Sequence, residues 1–186
     1  SRGCPFLCTY CSNHALRKVA NGKYTRFRSP DNVIKELEEV TARFPNSNEI
    51  YFESETIGAD NNFALKLCSQ LEEFNKRHNN LTYGVNLRII PKYDYNQMFN
   101  AFKKANFRFI NIGLESGSQK VRTSVLRRHY SNEDIINVVK LAKKYGLHVC
   151  FYVMVGIPGE TLEDFRETIK FCRESQPDGI YLAIFF

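Results

Sequence analysis

Apolar and polar positions along the chain follow two alternating rhythms. Runs rich in β-branched and aromatic residues occur at Asn48–Glu53, Leu81–Ile89, Phe107–Leu114, Leu147–Val155 and Gly179–Phe185, with the make-up of short buried strands. Between them the apolar positions take a helical spacing. In Asn32–Phe44 the residues Val33, Ile34, Leu37, Val40 and Phe44 keep to one face, as an amphipathic helix requires. Phe63–Phe74 repeats that spacing less strictly, through Phe63, Leu65, Leu67, Leu71 and Phe74. Ser131-Asn-Glu-Asp134 has the form of a helix N-cap followed by an acidic third residue, and Tyr145-Gly146 that of a helix stop. Thr161-Leu-Glu-Asp164 opens the last helix in the same way, and Pro177-Asp178-Gly179 turns the chain into the last strand. Strands alternating with helices predict βαβ units, and so an α/β fold with a parallel sheet or barrel.

No linker-like stretch interrupts the pattern, so residues 1–186 read as one domain. A full (β/α)₈ barrel takes about 250 residues, and five strands fall short of both a full and a three-quarter barrel. The chain opens on a cysteine loop with no strand before it and closes inside an apolar strand, as an excerpt of a longer protein would. With 43% hydrophobic and 25% charged residues it has the material for a real core. Its longest apolar stretches, around Val149–Val155 and Ile180–Phe186, are far shorter than the roughly 20 residues of a membrane span. Ser1-Arg2-Gly3-Cys4 lacks the apolar run of a secretory leader. The net charge of +6 is spread along the helix-like stretches. It reads mainly as solvated surface, and only weakly as a pointer to nucleic acid.

The cysteines change the picture. Three of the six, Cys4, Cys8 and Cys11, sit within eight residues, while Cys68, Cys150 and Cys172 are scattered singly through apolar segments. Disulfide frameworks belong to short secreted chains with cysteines spread through loops. The cluster therefore reads as a metal or iron–sulfur site in a reducing cytoplasm, and the scattered three as buried small hydrophobes. Three thiolates on one loop can hold three irons of a [4Fe–4S] cube, leaving the fourth iron free for a small molecule. A zinc site of Cys4, Cys8, Cys11 and His14 is the competing reading.

Cys4-Pro-Phe-Leu-Cys8-Thr-Tyr-Cys11, with an aromatic residue before the third cysteine, resembles the signature of the radical S-adenosylmethionine enzymes. The resemblance covers essentially the whole chain. It implies a partial (βα)₆ TIM-like barrel with parallel strands, here truncated before strand 1 and ending in strand 6. It also implies a [4Fe–4S] cluster whose open iron is chelated by S-adenosylmethionine, which is cleaved reductively to a 5′-deoxyadenosyl radical that abstracts hydrogen from a substrate. Glu53-Ser54-Glu55 stands where the family has a Gly-Gly-Glu-like run for the methionyl ammonium, with both glycines replaced. Ile112-Gly-Leu-Glu115-Ser116-Gly-Ser118 matches the ribose-side motif, giving Glu115 and Ser116 that role. Arg128, with Arg127 as its rival, takes the place of the cation facing the methionyl carboxylate. Gly156 and Ile157 fall in the adenine-packing motif, Tyr10 is a candidate adenine neighbour, and Asn86 and Arg88 point from a strand end toward the mouth.

Ser1-Arg-Gly-Cys4 and Leu126-Arg-Arg-His-Tyr-Ser-Asn-Glu-Asp134 are most similar to the cobalamin-binding subgroup, which includes methyltransferases and cyclases. That resemblance implies methyl transfer or cyclisation on a small-molecule substrate, a reductant such as flavodoxin or ferredoxin, and a cobalamin-binding domain upstream of this chain. Two alternatives remain at this point. One is a methylthiotransferase acting on tRNA or a ribosomal protein, and the other is a non-catalytic zinc or Fe–S module. The four histidines, His14, His78, His129 and His148, are single residues and name no acid or base.

Overall fold

Five parallel strands pair in the order in which the chain makes them: β1 (Glu49–Phe52), β2 (Thr82–Leu87), β3 (Phe107–Glu115), β4 (His148–Val155) and β5 (Gly179–Ile184). The computed structural model describes residues 2–78 and 81–185. Ser1 of the Ser1–Cys4 quartet and Phe186 of the last apolar stretch thus lie outside the described residues. Helices α1 (Asn13–Val19) and α2 (Pro30–Arg43) precede β1. Each later crossover carries one helix: α3 (Asn61–Asn75), α4 (Tyr95–Lys104), α5 (Asn132–Lys144) and α6 (Leu162–Ser175). The sheet curls into a half-barrel, the partial TIM-like architecture that the alternation predicts.

Strand parity decides which side chains reach the core. Tyr83, Val85 and Leu87 of β2, Ile110, Ile112 and Leu114 of β3, and Val149, Phe151 and Val153 of β4 are all buried in the main core. The opposite parity presents Tyr51, Asn86, Asn111 and Tyr152, a polar and aromatic series. Successive strand residues point to opposite faces, so one face is a hydrocarbon core under the helices and the other lines the concave side.

Local chemistry sets the helix starts. The Ser29 side chain accepts from the Asn32 amide at 3.2 Å, with Pro30 at the first helical position, so α2 begins ahead of its apolar pattern. Asp60 caps α3 through the Phe63 amide at 2.9 Å. Ser131 with Asp134, and Thr161 with Asp164, form complete capping boxes.

Two helices go beyond the sequence expectation. In α4 the buried Tyr95, Met98, Phe99 and Phe102 stand at i, i+3, i+4 and i+7, a helical stripe compressed into ten residues. Helix α1 has seven residues, no side-chain cap bond and only Asn13 buried, so it offers no periodicity to detect. Among the scattered cysteines Cys68 is buried, whereas Cys150 and Cys172 are half-buried. Burial pushes the Cys68 thiol up to about 12 and that of Cys172 to about 11. No helix among the described residues is long and apolar enough to cross a membrane.

Candidate functional site

The cysteine loop folds over the C-terminal ends of the strands, the end at which barrel folds build their sites. There Cys4, Cys8 and Cys11 line a cavity of about 180 Å³. Its walls come from Glu55 after β1, Asn86 on β2 with Arg88 just past its end, and Gly113 and Glu115 on β3. Tyr10, Arg128, Asn111 and Tyr152 complete it. A larger cavity of about 370 Å³ lies between β1 and α2 and carries no thiol.

Several contacts fix the loop from outside. Thr9 donates through its amide to the Leu126 carbonyl at 3.3 Å and through its hydroxyl to the Val125 carbonyl at 2.6 Å. Those carbonyls sit at the end of a π-helical turn, Val121–Val125, closed by the Leu126 amide on the Val121 carbonyl at 3.1 Å. Such turns are rare and recur at functional sites. Arg17 donates to the Cys4 carbonyl at 2.6 Å.

Two sulfurs receive donors of their own. Arg88 Nη1 lies 2.5 Å from Cys8 Sγ, and Asn13 Nδ2 lies 3.3 Å from Cys11 Sγ. The Arg88 guanidinium also stacks over Phe6, 4.2 Å from the ring centroid. Its backbone amide donates to Thr56 Oγ1 at 3.0 Å, so the cation is held at both ends.

The opposite wall is built on a buried ion pair. Arg128 Nη1 meets Glu115 Oε1 at 2.8 Å. Its Nε donates to the Tyr130 hydroxyl at 2.7 Å, its Nη2 to the Gly113 carbonyl at 2.6 Å, and its Nη1 also reaches the Tyr10 hydroxyl. Tyr10 in turn donates to Glu115 Oε1 at 2.7 Å. Burial alone would lower the Arg128 pKa, but Tyr130, Glu115 and Tyr10 outweigh it and hold the guanidinium charged. Burial, with Glu115 adding to it, raises the Tyr10 phenol. A Cβ at Gly113 would stand 2.4 Å from Glu115 Oε1 and 3.1 Å from Arg128 Nη2. The missing side chain is the space the pair occupies.

The site residues expected from sequence separate into two groups. Cys4, Cys8, Cys11, Tyr10, Glu55, Asn86, Arg88, Glu115 and Arg128 share the one cavity. Glu53 and Ser54 instead line the larger cavity beside β1, although the Ser54 carbonyl accepts from Asn86 Nδ2 at 3.1 Å. Ser116 is fully buried, its hydroxyl 3.3 Å from that of Thr168 on α6, and lies outside the cysteine cavity. Ile157 packs with Val121 and Leu126 in a small cluster that Tyr10 joins. The Gly156 and Ile157 amides donate to Glu160 Oε2 at 3.1 and 3.4 Å. Arg127 is exposed, with a positive φ of 53°.

Sequence reasoning passed over Asn111, Tyr152 and Asn13. The signal for Asn111 was present: it is a polar residue in the middle of the apolar run Phe-Ile-Asn-Ile, on the parity opposite to the core.

The donor set fits an iron–sulfur cube. Three thiols lie on one loop, and a guanidinium and an amide are aimed at two of the sulfurs, the hydrogen bonding that steadies cluster thiolates. A single zinc ion needs its ligands gathered at about 2.0–2.3 Å from one point. Among the described residues no group of three His, Cys, Asp or Glu side chains is so gathered, and His14 Nδ1 is buried without a hydrogen-bond partner. A cube takes each thiolate at a separate corner and needs no such convergence.

Comparison with known proteins adds four findings. The family model of the Radical SAM superfamily matches residues 1–172. The chain is 26% identical over 185 residues to the anaerobic magnesium-protoporphyrin IX monomethyl ester cyclase of Rubrivivax gelatinosus, covering 100% of this chain and 32% of that protein. It is 28% identical over 193 residues to a tRNA-2-methylthio-N(6)-dimethylallyladenosine synthase of Clostridium botulinum, covering 98% of this chain and 40% of that one. Its fold matches the radical S-adenosylmethionine methyltransferase TsrM from Kitasatospora setae, solved with cobalamin and a [4Fe–4S] cluster. That match has a TM-score of 0.80 at 19% identity, over 98% of this chain and 33% of the other. The chain spans between 32% and 40% of the length of the curated relatives it matches.

Proposed function

The chain belongs to the radical SAM superfamily, and from that premise we propose that it is the core of a cobalamin-dependent radical S-adenosylmethionine enzyme acting on a small molecule. The observation that carries the reading is the cavity in which Cys4, Cys8 and Cys11 meet Glu55, Arg88, Glu115 and Arg128. When bound, the [4Fe–4S] cluster and S-adenosylmethionine supply a reductively generated 5′-deoxyadenosyl radical.

The chain's own residues do the binding and orienting. Cys4, Cys8 and Cys11 hold three corners of the cluster. Arg88 and Asn13 donate to the Cys8 and Cys11 sulfurs and offset thiolate charge, which favours the reduced state. Glu55 is the carboxylate for the methionyl ammonium, because it faces the thiols while Glu53 does not. The second oxygen of Glu115, whose partner is tied to Arg128 and Tyr10, accepts from the ribose hydroxyls. Arg128 attracts the methionyl carboxylate at longer range, since its nitrogens are already engaged by protein. Tyr10 and Ile157, packed together, form the adenine wall with Gly156. Ser116 acts through structure, holding the turn after β3 against α6.

A cobalamin-binding domain preceding this core, a flavodoxin or ferredoxin as reductant, and a cytoplasmic setting complete the proposal. TsrM, whose fold this chain shares, was solved with cobalamin bound, which supports the cobalamin assignment. A second reading, methylthiotransfer to tRNA, is favoured by the tRNA-2-methylthio-N(6)-dimethylallyladenosine synthases of Clostridium botulinum. The test is product analysis. Anaerobically reconstituted, dithionite-reduced protein given S-adenosylmethionine is expected to form 5′-deoxyadenosine, and the Cys8→Ala variant none. Equal amounts from both would overturn the reading. Methylthiolated tRNA in the same reaction would select the second one.

A further inference from the structure

Polar and aromatic side chains on the concave face form a layer deeper than the charged rim of the cysteine cavity. Asn111 precedes Glu115 by four residues on β3, placing it about 13 Å further from the strand ends. Register sets Asn86 of β2 beside Asn111, Gly113 beside Tyr152 of β4, and Tyr152 beside Tyr181 of β5. Asn111 Nδ2 donates to the Tyr51 and Tyr152 hydroxyls, at 3.2 Å each, and the Tyr51 hydroxyl donates to Asn86 Oδ1.

The backbone is shaped to permit this. A Cβ at Gly84 would stand 2.0 Å from the Phe109 ring, so Phe109 lies flat over the glycine. Tyr51, paired with Gly84 across the strands, stacks on Phe109 at 5.8 Å between centroids. That stack carries the Tyr51 hydroxyl to the two asparagines. Tyr152 and Tyr181 lie ring to ring at 5.3 Å. Both are open on the concave side, Tyr152 at 38% and Tyr181 at 55%, whereas Asn111 is only 6% exposed.

Charge is unevenly placed around this layer. Glu55, Arg88, Glu115 and Arg128 stand at the rim with the thiols, while beside Tyr51, Asn86, Asn111 and Tyr152 the one carboxylate that reaches the layer among the described residues is Glu53, which accepts from Asn86 Nδ2 at 3.5 Å. Two protons of one amide fix two phenols, and Asn111 Oδ1 accepts no hydrogen bond among the described residues, which leaves an acceptor beside flat aromatic faces.

We propose that Tyr51, Asn111 and Tyr152 form the specificity-determining layer of the substrate site, and that the layer selects a planar, non-anionic group able both to donate and to accept hydrogen bonds. The proposal rests on the reading of the cysteine cavity as the S-adenosylmethionine site, which leaves this layer for the substrate. An anionic group here would be repelled by the Glu53 carboxylate beside Asn86. A purely apolar one would leave the amide and phenols without their water. A planar polar ring meets both demands, stacking on tyrosine and donating to Asn111 Oδ1.

The test is ligand-detected NMR on the cluster-reconstituted protein with three small probes: 2-pyridone, benzoate and toluene. Binding of 2-pyridone is expected to exceed that of the other two by at least about fivefold, the worth of one net hydrogen bond. Tyr152→Phe, which keeps the ring, should weaken 2-pyridone about fivefold and leave toluene unchanged. Asn111→Leu should weaken it about tenfold, with circular dichroism reporting whether the variant folds; if it does not, Tyr152→Phe decides. Equal binding of all three probes, or a Tyr152→Phe variant that binds 2-pyridone as the wild type does, would overturn the proposal. The response of the wild-type cluster spectrum to S-adenosylmethionine is recorded separately. Its absence would defeat the cofactor reading, while the probe comparison would still judge the layer.

Discussion

Arg128 and Glu115 form a buried ion pair at 2.8 Å, and Glu115 makes it from a left-handed backbone conformation with φ of 64°. Such a conformation costs about 1–3 kcal/mol and persists only where the surrounding structure enforces it. The support is visible: Tyr10, Tyr130 and the Gly113 carbonyl hold the guanidinium. Removing one partner of such a pair leaves a buried charge uncompensated and costs about 3–5 kcal/mol. Glu115→Gln and Arg128→Met are each expected to lower stability by that order in urea unfolding. The double variant should cost less than the sum of the two. Additive costs would mean that the two side chains do not act as a pair.

Gly84 tests the concave wall. Its substitution by alanine drives a methyl into Phe109, and overpacking of this kind costs about 1–3 kcal/mol. Gly84→Ala should lower the melting temperature, and Phe109→Leu in the same background should recover part of the loss. A Gly84→Ala protein as stable as the wild type would show that the Phe109–Tyr51 stack moves freely.

Much of this architecture was legible in the sequence because its signals are local. The strands announced themselves by β-branched and aromatic runs, and the capping boxes at Ser131 and Thr161 by their acidic third residues. The three-cysteine loop needs no tertiary context either. Helix α1 escaped because seven residues with one buried side chain have no period. The fate of Ser116 escaped because it depends on Thr168, fifty-two positions away, and a residue next to Glu115 looks equally able to face the cavity. Choosing Glu55 over Glu53 needed the turn after β1, where Glu55 swings to the thiols and Glu53 stays beside β1. Asn111 and Tyr152 were readable only once strand parity had separated the concave face from the core.

The capping of α6 makes stability depend on acid. Hydrogen bonds from the Thr161 hydroxyl at 2.6 Å, the Thr161 amide at 2.9 Å and the Ser118 hydroxyl at 2.8 Å pull the Asp164 carboxyl down from 3.8 to about 2. A depressed acid stabilises the fold above its unfolded value and loses that contribution as pH falls through the folded one. The loss from this group should therefore run from about pH 4 to about pH 2. Asp164→Asn is expected to be less stable at neutral pH and to show a shallower decline across that window. An unchanged slope in urea unfolding at pH 4, 3 and 2 would remove Asp164 from the acid response.

The central claim is that Cys4, Cys8 and Cys11 hold a cluster with one corner open to S-adenosylmethionine. Electron paramagnetic resonance of the anaerobically reconstituted, dithionite-reduced protein, with and without S-adenosylmethionine, tests it most directly. The account expects a [4Fe–4S]⁺ signal whose g-values shift on addition. A folded protein that assembles no cluster, or one whose spectrum is indifferent to S-adenosylmethionine, would contradict it.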